Sequence, residues 1–200
     1  HPGFPTVPPQ YALAVRKKIT IFWHRRDLRL HDNAGLYHAL KGPNPVLPLF
    51  IFDTCILDDL EDKKDARVEF IHDHVQLLCA KLADMGSTLR IAHGDPVEVW
   101  KRLIEELPIG AVYTNRDYEP YAVRRDAQVE QMLKARGIPF HTYKDHVIFE
   151  AHEVLKDDGK PYTVFSPYGR KWRARLQSRP ISATQDASLS FFLKSYPTER

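Results

Sequence analysis

Short apolar runs alternate with amphipathic stretches along most of this chain. Ile19–Trp23 is an unbroken apolar β-type run, as a strand buried on both faces should be. Asp32 is placed to cap the helix that follows, with Leu36, Tyr37 and Leu40 on one face and Gly42 at its end. Val46–Phe52 predicts a second buried strand, with Pro48 making its middle irregular or setting it near an edge, and Asp53 at its carboxyl end. The acidic stretch Asp58–Asp65 predicts a surface loop. From Arg67 to Met85, the residues Val68, Ile71, Val75, Leu78, Leu82 and Met85 recur at spacings of three and four, an apolar helical stripe read as core. Gly86 ends that helix and Thr88–Ala92 predicts a third strand. Asp95-Pro96-Val97-Glu98 combines an N-cap, a first-position proline and a third-position glutamate, so a helix starts there with Val97, Trp100, Ile104 and Leu107 inward and Pro108 as its stop. Ala111–Thr114 is a fourth strand. A helix to about Arg136 follows, with Ala122, Val129, Met132 and Leu133 on its buried face, and Ile138–Tyr143 is a fifth strand.

Strands alternating with helices at this spacing predict a doubly wound α/β fold: a five-stranded parallel sheet, Rossmann-like, with helices on both faces. The regular alternation covers residues 18–145. Residues 1–17 read as a flexible N-terminal arm, with four prolines in the first ten positions. Residues 146–200 read as a closing helix, opened by Ser166-Pro167 and carrying Tyr168, Trp172 and Leu176 at spacings of four, then a Ser/Thr-rich linker beyond Pro180. The segment Lys156–Pro161 predicts a turn.

Composition adds limits. Two hundred residues with 43% hydrophobic and 28% charged fit one ordinary globular domain. A net charge of +3 is too small to imply nucleic-acid binding by itself, but residues 165–200 hold seven Lys/Arg against two Asp/Glu. The last helix, with Arg170, Lys171, Arg173, Arg175 and then Arg179, fits either a solvated face or contact with DNA phosphates. Cys55 and Cys79 show no CxxC spacing; a disulfide between them is open but not indicated, and a reducing cytoplasm is the better fit. No apolar run approaches the roughly 18–20 residues of a membrane span, and the N-terminus lacks the pattern of a signal peptide.

Several chemistries lack their motif: there is no GxGxxG after the first strand, no GxxxxGK[ST] and no GxSxG. His72 and His74, two apart on a helix, face different directions and make a poor metal pair. What remains are two strand-end segments, His24–Arg29 and Asn115–Tyr121 with Arg124 and Arg125 just beyond. In a parallel sheet both emerge at the carboxyl edge, where ligands sit. Together they offer guanidinium groups, the Asp117 carboxylate and the rings of Tyr118 and Tyr121, suited to a planar or phosphate-bearing ligand. The same residues equally fit a structural role, in which Arg25, Arg26 and Arg29 pair with Asp27, Asp32 and Asp117 to pin loops together.

Three ordered motifs resemble the DNA photolyase/cryptochrome family. They are Trp23-His24-Arg25-Arg26-Asp27-Leu28-Arg29-Leu30-His31-Asp32-Asn33; Asn115-Arg116-Asp117-Tyr118-Glu119-Pro120-Tyr121 followed by Arg124-Arg125-Asp126; and Tyr162-Thr163-Val164-Phe165-Ser166-Pro167-Tyr168 with Trp172. The resemblance spans about Lys18 to Leu176. It implies an N-terminal α/β domain that holds an antenna chromophore and passes excitation to FAD in a larger helical domain. That domain would follow this chain, so the 200 residues alone are expected not to repair DNA and to carry no catalytic residue. The Asn-Glu pair typical of folate-binding members is missing at Tyr121 and Ala122. The resemblance therefore implies 8-hydroxy-5-deazaflavin or FMN rather than methenyltetrahydrofolate, with Arg26, Asp117, Tyr121 and Arg124 as contacts and Phe52, Asp53 and Arg67 nearby. For the full-length protein it implies light-driven splitting of cyclobutane pyrimidine dimers in damaged DNA, by a monomer working with its own C-terminal FAD domain. A cryptochrome-type photoreceptor and an autonomous nucleotide-binding module are the alternatives.

Overall fold

A computed structural model describes residues 17–58, 65–150 and 152–178. Expectations for the N-terminal arm, most of the Asp58–Asp65 loop, Arg179 and the linker beyond Pro180 lie outside these residues.

Five strands, β1 (Ile19–His24), β2 (Val46–Asp53), β3 (Arg90–Gly94), β4 (Ile109–Asn115) and β5 (Phe140–Tyr143), form one sheet in the order β3-β2-β1-β4-β5, with every pairing parallel. The helices between them are α1 (Ala34–Leu40), α2 (Thr54–Leu57), α3 (Ala66–Asp84), α4 (Pro96–Glu106) and α5 (Pro120–Ala135), and α6 (Phe165–Ser178) follows the sheet. The expected doubly wound α/β sandwich is the fold observed. Alternation along the central strand feeds two cores. Ile19, Ile21 and Trp23 pack with Trp100, Leu103, Val129 and Leu133 of α4 and α5. Phe22 packs on the other face with Leu36 and Leu40 of α1 and Val75, Leu78 and Leu82 of α3. Trp23 and Trp100 meet edge to face with centroids 5.5 Å apart.

Four local expectations are corrected. The cap of α1 is Asn33 rather than Asp32: Asn33 Oδ1 accepts the Leu36 amide at 3.0 Å, while Asp32 lies in the left-handed region at φ 48. Pro48 causes no break in β2, because the ladder to β3 begins one residue later, at Leu49 opposite Arg90, leaving Pro48 outside it. The third strand is Arg90–Gly94, not Thr88–Ala92, since pairing runs to the carboxyl end of β2, where Asp53 meets Gly94. In α4 the Asp95 cap is as expected, its carboxylate accepting the Val97 and Glu98 amides, but the buried face is Val99, Trp100 and Leu103. The helix is rotated so that Val97 and Ile104 flank that face instead of centring it. On α3 only Val75, Leu78 and Leu82 are fully buried; Val68 and Ile71, near its start, are half-buried. Cys55 and Cys79 are free. Among the described residues no helix is long and apolar enough to cross a membrane.

Candidate functional site

The order β3-β2-β1-β4-β5 places the reversal of winding between β1 and β4, and their carboxyl ends are the crevice where an open α/β sheet binds ligands. The loop leaving β1 is held there by a buried polar knot. Asp27, 2% exposed, accepts the Arg25 amide at 2.7 Å and the side-chain amides of Asn115 at 2.6 Å and Asn33 at 3.2 Å. Asn115 also donates to Asn33 Oδ1 at 2.9 Å and accepts the Gly35 amide at 2.8 Å. One carboxylate and two amides thus join the end of β1, the start of α1 and the end of β4. Burial alone would push the Asp27 carboxyl up, but these donors and the adjacent charges hold it below the usual carboxylate range. Gly35 is required by close approach: a Cβ there would lie 2.7 Å from Asn115 Oδ1 and 2.9 Å from the Phe22 ring.

A second network occupies the α4/α5 side. Asp53, at the end of β2, caps α2 by accepting the Cys55 amide, and its two oxygens accept the Tyr121 hydroxyl at 3.0 and 2.8 Å. Arg125 donates to Asp53 at 3.3 Å and to Asp126 at 3.0 Å, and Arg25 pairs with Asp126 and donates to the Asn115 carbonyl. The charges alternate Asp53, Arg125, Asp126, Arg25, so each buried ion has an opposite neighbour. Both guanidinium groups lie over the Trp23 ring, 5.2 Å for Arg25 and 4.9 Å for Arg125, and Arg125 also lies 5.6 Å from the Tyr121 ring. Burial and the Asp53 carboxylate push the Tyr121 hydroxyl far up, keeping it a donor.

The residues singled out from the sequence fall into three groups. Arg26 and Asp117 meet at 3.5 Å, with Arg26 also on Glu119 at 2.6 Å and its side chain 56% exposed. Asp53 and Tyr121 are joined as described, and half-buried Phe52 packs edge-on to Phe50 at 5.0 Å. Arg67 is not drawn in: it is exposed at the start of α3 and pairs with Asp65. Arg124 is exposed, with no ion-pair partner among the described residues. The ion-pairing alternative describes Arg25, Arg26 and Arg29, although the partners are Asp126, Asp117 with Glu119, and Asp145. Of the partners expected for them, Asp27 accepts amides, and the Asp32 carbonyl accepts Arg29. The buried guanidinium on α5 is Arg125, which sequence reasoning left unassigned. The signal was present: Ala122 and Val129 are seven apart on the buried face, and Arg125 fills the turn between them.

His24 ends β1 wholly buried. Its Nδ1 lies 3.0 Å from the Asp27 carbonyl oxygen, and its Nε2 has no hydrogen-bond partner among the described residues. Burial pushes its pKa down. No group of three or more His, Cys, Asp or Glu among the described residues could hold a metal ion.

Comparison with known proteins places this edge in context. The family model described as DNA photolyase matches residues 20–187. A deoxyribodipyrimidine photo-lyase of a Synechococcus strain is 36% identical over 162 residues, covering 81% of this chain and 33% of the relative. Among solved structures, an archaeal photolyase from Sulfolobus tokodaii, described as carrying two FAD molecules with implication of a novel light-harvesting cofactor, has TM-score 0.66 and 29% identity. It covers 76% of this chain and 34% of the other. A bacterial class III photolyase from Agrobacterium tumefaciens has TM-score 0.70 and 26% identity, covering 93% of this chain and 38% of the other. The chain spans about a third of the length of these three relatives.

Proposed function

Because this chain belongs to the DNA photolyase family, we propose that it is the antenna-binding domain of a blue-light-dependent photolyase that repairs cyclobutane pyrimidine dimers. The observation that carries this reading is a family match running through both strand-end segments of one parallel sheet. When bound, the antenna would supply light absorption and energy transfer toward FAD in a helical C-terminal domain, for repair of damaged DNA. This domain's task is to bind and orient the antenna, with no catalytic residue of its own.

The residues at the edge fit a planar chromophore bearing polar or anionic groups. Arg26 is held by Asp117 and Glu119 yet keeps half its surface open, and Arg124 offers a cation with no acid already on it among the described residues. Phe52 and Tyr121 supply ring faces, and Asp53 fixes the Tyr121 hydroxyl. Arg67, exposed at the start of α3 and paired with Asp65, is left out of these contacts. Deazaflavin or FMN is the proposed occupant rather than the folate, since Tyr121 and Ala122 replace the folate-associated Asn-Glu pair. Titration of the chain with FMN and with 8-hydroxy-5-deazaflavin, followed by equilibrium fluorescence, is expected to show binding that Arg26→Ala and Arg124→Ala abolish. Binding unchanged by either substitution would refute these contacts. In the full-length protein, light-dependent loss of dimers from an irradiated oligonucleotide is the expected result; flavin bleaching without dimer loss would favour a cryptochrome-type photoreceptor.

A further inference from the structure

His24 carries a polar atom that neither network uses. It is 0% exposed, its ring stands edge-on to Phe22 with centroids 4.6 Å apart, and its register partner on β2 is Phe50. Its two nitrogens are not equivalent. Nδ1 faces a backbone carbonyl, which can only accept, so Nδ1 carries the proton. Burial disfavours the imidazolium, so the ring is neutral and Nε2 presents a lone pair. Three buried side-chain nitrogens lack a partner among the described residues: His24 Nε2, Trp100 Nε1 and Arg175 Nε. The latter two are donors on helices. His24 Nε2 alone is an acceptor, and it alone sits at the carboxyl end of a strand. A buried acceptor left unpaired costs free energy of folding, and a ligand that donates to it would recover that cost.

We propose that His24 Nε2 selects the antenna's heterocycle by accepting a hydrogen bond from a ring N–H. This rests on the antenna reading above and names the group that decides which chromophores are accepted. The ligand class is a planar, imide-bearing heteroaromatic such as a flavin or deazaflavin, whose oxidised flavin form has a single ring N–H, at N3. A ring edge offering only acceptors would face the His24 lone pair and be rejected. Half-buried Leu28, Phe52 and Ile71 pack against the core cluster of Phe22 and Phe50, on the face of the sheet that His24 shares with Phe22. The assignment also gives the Asp27 backbone a role: its carbonyl fixes the His24 tautomer, as outer partners fix ligating histidines at metal sites.

The test is equilibrium fluorescence of the whole 200-residue chain with FMN and with N3-methyl-FMN, which lacks the donor, on wild type, His24→Phe and His24→Gln. The expected result is about tenfold weaker binding of N3-methyl-FMN than of FMN to wild type, and a similar loss for FMN with His24→Phe. In His24→Phe, methylation should no longer matter, while His24→Gln, which keeps an acceptor, should retain most of the preference for FMN. The ¹⁵N signal of His24 Nε2 should also move on adding FMN and stay in place with the methylated form. Equal binding of the two flavins by wild type overturns the proposal without any variant having to fold. FMN binding that is equal in wild type and His24→Phe overturns it too, while leaving the antenna reading intact. A wild-type chain that binds neither FMN nor 8-hydroxy-5-deazaflavin overturns both.

Discussion

Gly35 shows how little room the crevice leaves at the scale of a single atom. Its amide donates to Asn115, and the methyl group of an alanine would lie within 2.7 Å of the same side chain's oxygen. Neither the β4 backbone nor the buried Phe22 ring can retreat, so Gly35→Ala is expected to destabilise the fold by about 1–3 kcal/mol, seen as a lower urea midpoint with unchanged slope. This scale was the least legible from sequence. Asp32 and Asn33 are both competent caps, and the choice fell to Asn33 because its side chain also serves Asp27 and Asn115, partners up to 82 residues away. Likewise Arg124 and Arg125 are adjacent and chemically identical. Which one enters the core depends on the helix phase, and in the sequence that phase is marked by the apolar positions alone. Ala122 and Val129 mark Arg125 as facing the core, but its counter-ion Asp53, 72 residues away, is brought to it only by the fold.

At the scale of elements the sequence was more informative. Every strand and every long helix was foreseen, because a period of two or of 3.6 survives small errors in where it begins. The Asp95-Pro96 start of α4 is an instance: capping chemistry is local, and the bonds to Val97 and Glu98 are those expected. Asp95→Ala should therefore cost about 1 kcal/mol in denaturant unfolding. The rotation of α4 about its axis was not legible, since it is fixed by Trp100 meeting Trp23 across the core. The docking of α6 depends on another element-level contact. Glu153 accepts Lys144 Nζ at 2.8 Å and the Glu150 amide at 2.7 Å, while its carbonyl accepts Arg175 of α6. The Lys144 ammonium and that amide hold its carboxyl at about 2, below an unfolded value of about 4.3. A lowered carboxyl pKa stabilises the fold fully above the unfolded value, and the contribution fades as pH falls from about 4.3 toward 2. Glu153→Gln should therefore flatten this part of the acid limb, measured as urea midpoints of wild type and variant between pH 5 and 2.

For the molecule as a whole, the alternation of strands and helices sufficed for the doubly wound sheet, and the strand-end motifs sufficed for the family. The site is legible only in part, because the buried cations Arg25 and Arg125 and the amides around Asp27 find partners far apart in the chain. The knot at the crevice spans 88 residues between Asp27 and Asn115, and the Arg25–Asp126 pair spans 101. That distance has a consequence for synthesis. β1 is the centre of the sheet, yet one of its two partners, β4, is not made until residue 115. At the roughly 5–20 residues per second of translation, the open side of β1 waits on the order of 5–20 s for its neighbour. During that time its unpaired N–H and C=O edge, between apolar side chains, is available to any other extended chain. Ribosome-held nascent chains ending before β4 should accordingly be cut readily by protease and captured by chaperones. Those whose β4 and α5 have emerged should resist both, so the pairing of β4 on β1 would also end the chain's most vulnerable period.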